Sequence, residues 1–495
     1  MRTPEVRLSS PRRARRAIAL LALTALAGCT TAQSTPQANL PELPAAFIAA
    51  DSLQTEPVDS DWWTRFDDPQ LAVLVNRAVS DNPSVGMALA RVAQAQARAR
   101  IAGSDRYPQL DLALSASRQQ QSLASLGIVL PGTEDETDET FTYDTFQLSA
   151  QVSWELDLWG KLSSQTAAAR ADFLASEANL LAARQLIAAQ TARTYFETIE
   201  ANQQIELAQS TVDAFAESAR QIGNRVQVGR AAPNESYLAN SNLQSARAEL
   251  ERRNQQRARA LRKLDALVRA YPDGEVALAE ALPEMPPAPP VGLPSNLLER
   301  RPDILAARAR LTAAGYRLTA AERSFLPQIA LTGSAGTAST DIANIFDPDF
   351  FIWSVAGRLL QPVFQGGRLR AQVAAREGER DEAVEAFADV VLTAFSEVEI
   401  ALALDAYLAR QEAALAEAAR EAERSVEVAF NRYYVGKEQF LTVIEGQQRA
   451  YDARSTLLSV RRARLDNRVA LHLALGGGFA DDPDQSASGN SIGSR

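Results

Sequence analysis

The chain is written twice, and this duplication limits what it can fold into more than any other feature. Asn82-Pro83-Ser84 and Arg301-Pro302-Asp303 each open a helical stretch, and Pro108 and Pro327 follow the two prolines at the same spacing of 25. Further on, Gly160-Lys161-Leu162 matches Gly367-Arg368-Leu369, and Arg225-Val226-Gln227-Val228-Gly229 matches Arg432-Tyr433-Tyr434-Val435-Gly436, with 69 residues from glycine to glycine in both copies. A repeat of this kind means one supersecondary unit built in tandem. Only the stretch between the proline and glycine anchors differs, 52 residues against 40, which predicts a surface loop 12 residues longer in the first copy.

Each copy reads as helix, strand, loop, strand, long helix, turn, helix. In 146–158, Phe146, Leu148, Ala150, Val152, Trp154, Leu156 and Leu158 alternate with Gln147, Ser149, Gln151, Ser153, Glu155 and Asp157. Period two puts the apolar set on one face of a strand and the polar set on the other. The repeat mate is weaker, with Trp353, Val355 and Leu359 opposite Ser354 and Arg358; segments 110–117 and 328–335 supply two more strands. Alternation over roughly ten residues suits a tilted membrane strand. Between Gly160 and Gly229 the only interruption by glycine or proline is Gly223. Ile205, Val212, Ala219 and Val226 recur every seven residues, as do Leu174, Leu181, Ala188 and Tyr195. That period predicts supercoiled packing, and ~66 helical residues would run about 100 Å. The second copy repeats the pattern over 368–434, and shorter helices return over 235–270 and 438–475.

Four membrane-type strands cannot seal themselves, because an open edge in lipid leaves backbone groups without partners. Two copies would give an eight-stranded barrel filled by its own side chains, so three copies and twelve strands are the expectation. Gln147, Gln151, Glu155 and Asp157 would then wet the passage, and the acidic stretch 133–144 would face the exterior. The fold class is accordingly mainly α with a membrane β-barrel portion.

The first residues set the compartment. Arg12, Arg13, Arg15 and Arg16 precede the apolar run 17–27, which reads as a signal peptide. It ends in Leu26-Ala27-Gly28-Cys29, similar to the lipobox of bacterial lipoproteins, so Cys29 is the expected lipidation site. Removing 1–28 leaves 45 basic residues against 60 acidic ones, moving the formal charge from −10 to −15. An acidic exported chain argues against nucleic acid as a partner. No later apolar run reaches 18 residues, so no membrane helix is expected. The single histidine, His472, reads as a packed side chain between Leu471 and Leu473. One histidine and one cysteine supply neither a zinc set nor a Ser-His or Cys-His pair, so no enzyme activity, metal or cofactor is expected. Gly476-Gly477-Gly478 follows a helix, so it reads as a helix stop and the 477–495 tail as disordered.

Three motifs carry a family resemblance. Trp62-Trp63-Thr64-Arg65-Phe66-Asp67-Asp68-Pro69, the stretch Leu293-Pro294-Ser295-Asn296-Leu297-Leu298-Glu299-Arg300-Arg301-Pro302-Asp303-Ile304, and Trp154-Glu155-Leu156-Asp157-Leu158-Trp159-Gly160 resemble signatures of the TolC-like outer membrane factors, in their OprM/NodT lipoprotein branch. The resemblance covers about 40–478. It implies a homotrimeric 12-stranded β-barrel on a 12-helix periplasmic α-barrel, serving as the outer-membrane exit duct of a tripartite efflux system. The implied partners are a periplasmic adaptor, an inner-membrane transporter of RND type, and outer-membrane lipid through acylated Cys29. It also implies that Val228, Gly229 and Arg230 with Pro233 to Glu235, and Tyr433, Tyr434, Val435, Gly436 and Lys437, form the periplasmic tips, with Glu235 and Glu445 as an acidic ring. Thr442 departs from a second acidic position of some members. Trp154, Gly160, Gly366 and Gly367 mark the strand-to-helix junctions. The expected organisation is a signal peptide 1–28, an anchored segment 29–75, repeats 76–275 and 301–476 joined by a linker 276–300, and the tail 477–495. A type I protein-secretion duct and a non-conducting coiled-coil lipoprotein stay open as alternatives.

Overall fold

Each copy of the repeat yields helices of the same lengths. The computed structural model describes residues 44, 46–48, 61–122, 140–292 and 294–477, so the leader 1–28, Cys29 and the tail from 478 lie outside the described residues. After α1 (Pro69–Asp81), the first copy gives α2 (Pro83–Ser104), β1 (Gln109–Ser122), β2 (Thr140–Leu156), α3 (Lys161–Gln227) and α4 (Pro233–Leu267). The short α5 (Pro294–Arg300) precedes the second copy: α6 (Pro302–Arg323), β3 (Gln328–Ser339), β4 (Phe351–Leu360), α7 (Arg368–Tyr434) and α8 (Phe440–Ala474). Both α2 and α6 have 22 residues, α3 and α7 have 67, and α4 and α8 have 35. At 1.5 Å per residue the long helices run about 100 Å.

The boundaries follow from local chemistry. Pro83, Pro233 and Pro302 start helices where the missing N–H costs nothing, and the Asn82 side chain caps α2 by accepting from Ser84 N at 2.8 Å. Gly160 (φ 77°) and Gly367 (φ 86°) turn the chain into α3 and α7. The glycine run ends α8 as expected, with Gly476 at φ 72° and Gly477 N donating to His472 O at 3.1 Å.

The four strands form one antiparallel sheet in the order β1-β2-β3-β4. The hairpin of each copy is an expected feature, and the two hairpins join through β2 and β3. Two expectations need correction. The extra length of the first copy goes mainly into its strands, 14 and 17 residues against 12 and 10, and not into the surface loop alone. The acidic stretch 133–144 is not all loop either: β2 begins at Thr140, and Asp144 pairs with Arg118 across the hairpin at 3.6 Å. The remainder of that stretch lies outside the described residues.

The seven-residue frame of α3 holds in part, with Ala188, Tyr195 and Val212 buried. Leu174 is 56% exposed, while Ala168, Ala171, Ala175, Ala178, Ala189 and Ala192 are buried. Lower down, Ala201, Ala208, Phe215 and Ile222 keep the seven-residue spacing. The buried set is wider than the expected frame, because α3 packs against α2, α4, α6 and α8 at once, and close approach on several flanks selects small side chains.

The main core lies around the middle of the chain's long axis elements, where Trp62, Trp63 and Phe66 pack with Tyr195, Phe196, Ile199 and Leu264. His472 is fully buried and stacks on Trp62 at 5.6 Å. Asp68 caps α1 through Gln70 N and Leu71 N, and accepts from Tyr195 Oη at 2.7 Å. A second core joins Phe47, Leu297, Ile304, Val391 and Leu471. Arg301 fastens it: its guanidinium reaches Asp303 and Glu397 at 2.7 Å each and donates to Ala474 O at 3.0 Å.

Candidate functional site

The sheet register sorts its side chains into two faces, since directly paired residues in an antiparallel ladder share a face. One face carries Leu110, Leu112 and Leu114; Leu148, Val152 and Leu156; Ile329 and Leu331; and Trp353, Val355 and Leu359. The other carries Asp111 and Ser115; Gln147, Ser149, Gln151 and Ser153; Thr332 and Ser334; and Ser354 and Arg358. The apolar side chains are open, with Leu112 77%, Trp353 70% and Val355 75% exposed. Among the described residues no helix is long and apolar enough to cross a membrane, so this sheet is the element suited to lipid. Its close packing shows at Gly336, where an added Cβ would run into the backbone of Leu148 and Ser149.

Side chains from both copies lock the strand-to-helix junctions. Trp154, on the apolar face, donates from Nε1 to Arg106 O at 3.0 Å, and Trp159 donates to Pro327 O at 2.6 Å. Arg323 from α6 donates to Gly160 O at 2.7 Å and Ser164 Oγ at 2.8 Å, and fills the space a side chain at Gly160 would need. Asp157 was expected on the wet face. Instead its carboxylate accepts from Leu162 N at 2.9 Å and Ser163 N at 2.7 Å, capping α3. Glu155 is held by Lys161 Nζ at 2.6 Å. Gly366 (φ 58°) and Gly367 together make the second junction.

At the opposite ends of the long helices the two tips have matching turns. Gly229 and Gly436 both have φ 72°; Arg230 N donates to Arg225 O at 2.7 Å, and Lys437 N to Arg432 O at 2.9 Å. Val228, Gly229, Arg230, Tyr434, Val435, Gly436 and Lys437 are all exposed. Of the expected tip residues, Tyr433 joins the two tips most closely. Its hydroxyl donates to Glu235 Oε2 at 2.9 Å, its ring packs 5.4 Å from Phe440, and the Arg225 guanidinium lies 4.7 Å over it. Burial and the Glu235 carboxylate push the Tyr433 hydroxyl up to about 12, so it stays a donor at every biological pH. Glu235 is therefore half-buried between the tips, whereas Glu445 is exposed on α8. Thr442 Oγ1 donates to Glu438 Oε1 at 3.2 Å. Among the described residues no three His, Cys, Asp or Glu side chains are grouped to hold a metal.

Comparison with known proteins decides what this wall and these tips belong to. The family described as outer membrane efflux protein matches residues 74–268 and 293–477, one match for each copy of the repeat. The chain belongs to that family. The outer membrane protein OprJ of Pseudomonas aeruginosa is 33% identical over 469 residues, covering 93% of this chain and 95% of that protein. The cation efflux system protein CusC of Escherichia coli K12 is 29% identical over 465 residues, covering 92% and 97%. Among solved structures, the Campylobacter jejuni CmeC outer membrane channel superposes with a TM-score of 0.81 at 25% identity, covering 92% of this chain and 98% of that one. CusC superposes with a TM-score of 0.76 at 26% identity, covering 89% and 100%. This member of the outer membrane efflux family is an outer-membrane efflux channel that extends into the periplasm. The family consists of channel proteins.

Arg323 carries contacts that motif reading did not single out, whereas Arg225 and Tyr433 stand in the matched tip motifs. The repeat held one signal: alignment of the glycine anchors sets Tyr433 against Val226, an aromatic gained in one copy only.

Proposed function

We propose that three copies close into one conduit, a twelve-stranded barrel over twelve periplasmic helices, which serves as the passive exit duct of a tripartite efflux machine. One observation carries this reading: the sheet ends in two unpaired edges, β1 and β4. The helical layer runs out on the same sides, since α2 packs on α3, α3 on α6 and α6 on α7, which leaves α2 and α7 at the margins. Joining β4 and α7 of one copy to β1 and α2 of the next satisfies both layers with one head-to-tail contact, the kind that closes into rings. Two copies would make a barrel filled by its own side chains; three leave a lumen. The apolar face then meets lipid and the Gln147, Ser149, Gln151 face meets water.

In this reading Val228, Gly229 and Arg230, with Tyr434 to Lys437, meet a periplasmic adaptor, and an RND-type pump supplies cargo from the inner membrane. Glu445, with Glu235 behind it, makes the mouth acidic. Residues 1–28 are removed and Cys29 is acylated. The relatives' names, among them a pyoverdine export protein and a cation efflux protein, favour small cargo over secreted protein. Native mass spectrometry of the detergent-purified protein should give a homotrimer, and planar bilayers should show discrete conductance steps. A monomer that leaves bilayers insulating would sink the proposal. Mass analysis of the mature N-terminal peptide should find Cys29 carrying acyl chains, and an unmodified thiol would refute the anchor.

A further inference from the structure

The alternation that separates lipid face from lumen face reverses at the end of the first hairpin farthest from the helices. Below that point the outward face is apolar through Leu114 and Leu148. Above it the same face carries Arg118 paired with Asp144 at 3.6 Å, and Gln120, whose amide donates to Thr140 Oγ1 at 2.7 Å. The ladder runs unbroken from Gln109↔Ser153 to Ser122↔Thr140, so no bulge moves a side chain to the other side. Phe141 and Tyr143, opposite Gln121 and Gln119, therefore stand on the lumen face with Gln147 and Ser149. They are the aromatic pair of that face, which otherwise carries small, amide and charged side chains together with Ile352 and Leu360. Their rings stack at 5.4 Å with planes 21° apart, and the Tyr143 hydroxyl donates to Gln119 Oε1 at 2.8 Å, which fixes the pair. Phe141 is 38% exposed.

Aromatic residues that anchor a barrel in its membrane point toward the headgroups; this pair points away from them. Packing does not explain it either, since Phe141 keeps an open face. The nearest charges cancel on the opposite face, where Arg118 pairs with Asp144. A fixed π face recognises a flat cation, through stacking and through attraction to the ring quadrupole.

We infer that Phe141 and Tyr143 form an exit subsite in the lumen that retains planar aromatic cations on their way out. The inference rests on the threefold channel proposed above, which repeats the pair three times around the mouth.

The test uses the full-length trimer in planar bilayers, with ethidium as the probe on the side bearing the hairpins. The wild-type channel should show resolved current blockades. In Phe141→Leu, which keeps apolar bulk but loses the ring, and in Tyr143→Ala, dwell times should fall about two- to fivefold per lost ring contact. Phe351→Ala, on the lipid face, should leave dwell times unchanged, and tetrabutylammonium should not distinguish wild type from variants. Equal ethidium dwell times in wild type and Phe141→Leu, with normal conductance, would overturn the subsite while leaving the channel intact. A wild-type protein with no conductance steps would overturn the channel and the subsite with it.

Discussion

Tyr433 stands next to the most exposed point of its tip, yet it is buried and holds the two tips together. Replacing it with phenylalanine keeps the packing on Phe440 and removes the hydrogen bond to Glu235. Tyr433→Phe should therefore fold normally, and its channels should spend more time at high conductance, measured by single-channel recording; unchanged occupancy would show that the bond does not restrain the mouth. Asp466 shows a residue working against the fold. Burial pushes its carboxyl up to about 6, opposed by Arg462 and Arg193 and reinforced by Glu197 and Glu200. A carboxyl whose folded-state value is raised binds its proton more tightly when folded, so stability falls as pH rises from about 4 to about 6 and the penalty stays constant above that. Asp466→Asn should remove this penalty, raising stability by about 1–3 kcal/mol at pH 8. The gain should shrink as pH falls toward 4. Thermal unfolding of the detergent-solubilised protein at both pH values checks the sign, and a variant less stable than wild type at pH 8 would show that the charge is needed.

Among the elements, the sheet is where a single methyl group decides most. Gly336 lies in β3 against the backbone of Leu148 and Ser149, at the seam where the two copies of the repeat meet. Gly336→Val should block β2–β3 pairing, whereas Gly333→Ala, whose nearest neighbour would be 3.7 Å away, should be tolerated. Heat-modifiable mobility on gels reports the folded barrel, and a normal shift for Gly336→Val would contradict the close approach. Strand existence was legible from period-two alternation in β2, and much less so in β4, where Ile352 and Leu360 stand on the polar face. Long helices were legible from the absence of glycine and proline. In α3 the buried frame was legible at Ala188, Tyr195 and Val212 but not its full width, because Leu174 is exposed while flanking alanines line the buried seam. A helix packed on one side shows one apolar stripe; a helix packed on several sides does not. Asp157 continued the polar alternation of β2 in sequence, and only the onset of α3 four residues later turned it into a cap.

For the molecule as a whole, the prediction concerns how its edges close. Leu112 in β1 and Val355 in β4 lie on the same face at opposite margins of the sheet. With cysteines at both positions, a thiol-reactive crosslinker should give a ladder of one, two and three chains and nothing larger, because a closed ring has no free margin. Longer ladders on denaturing gels would indicate an open assembly and remove the basis for a sealed lumen.

The amino-acid sequence by itself determined the duplicated plan, the helix lengths, the turn glycines and which face of β2 is apolar. These depend on residues close together in the chain, where period and backbone freedom act directly. Only the tertiary structure decided how far the buried seam of α3 extends, that Arg301 ties α6 to α7 and α8, and that Tyr433 joins the tips through Glu235. Such pairings join groups as far apart as Glu235 and Tyr433, separated by 198 positions. Their energy exists only once the fold has brought them within hydrogen-bond reach, so no local pattern can record them.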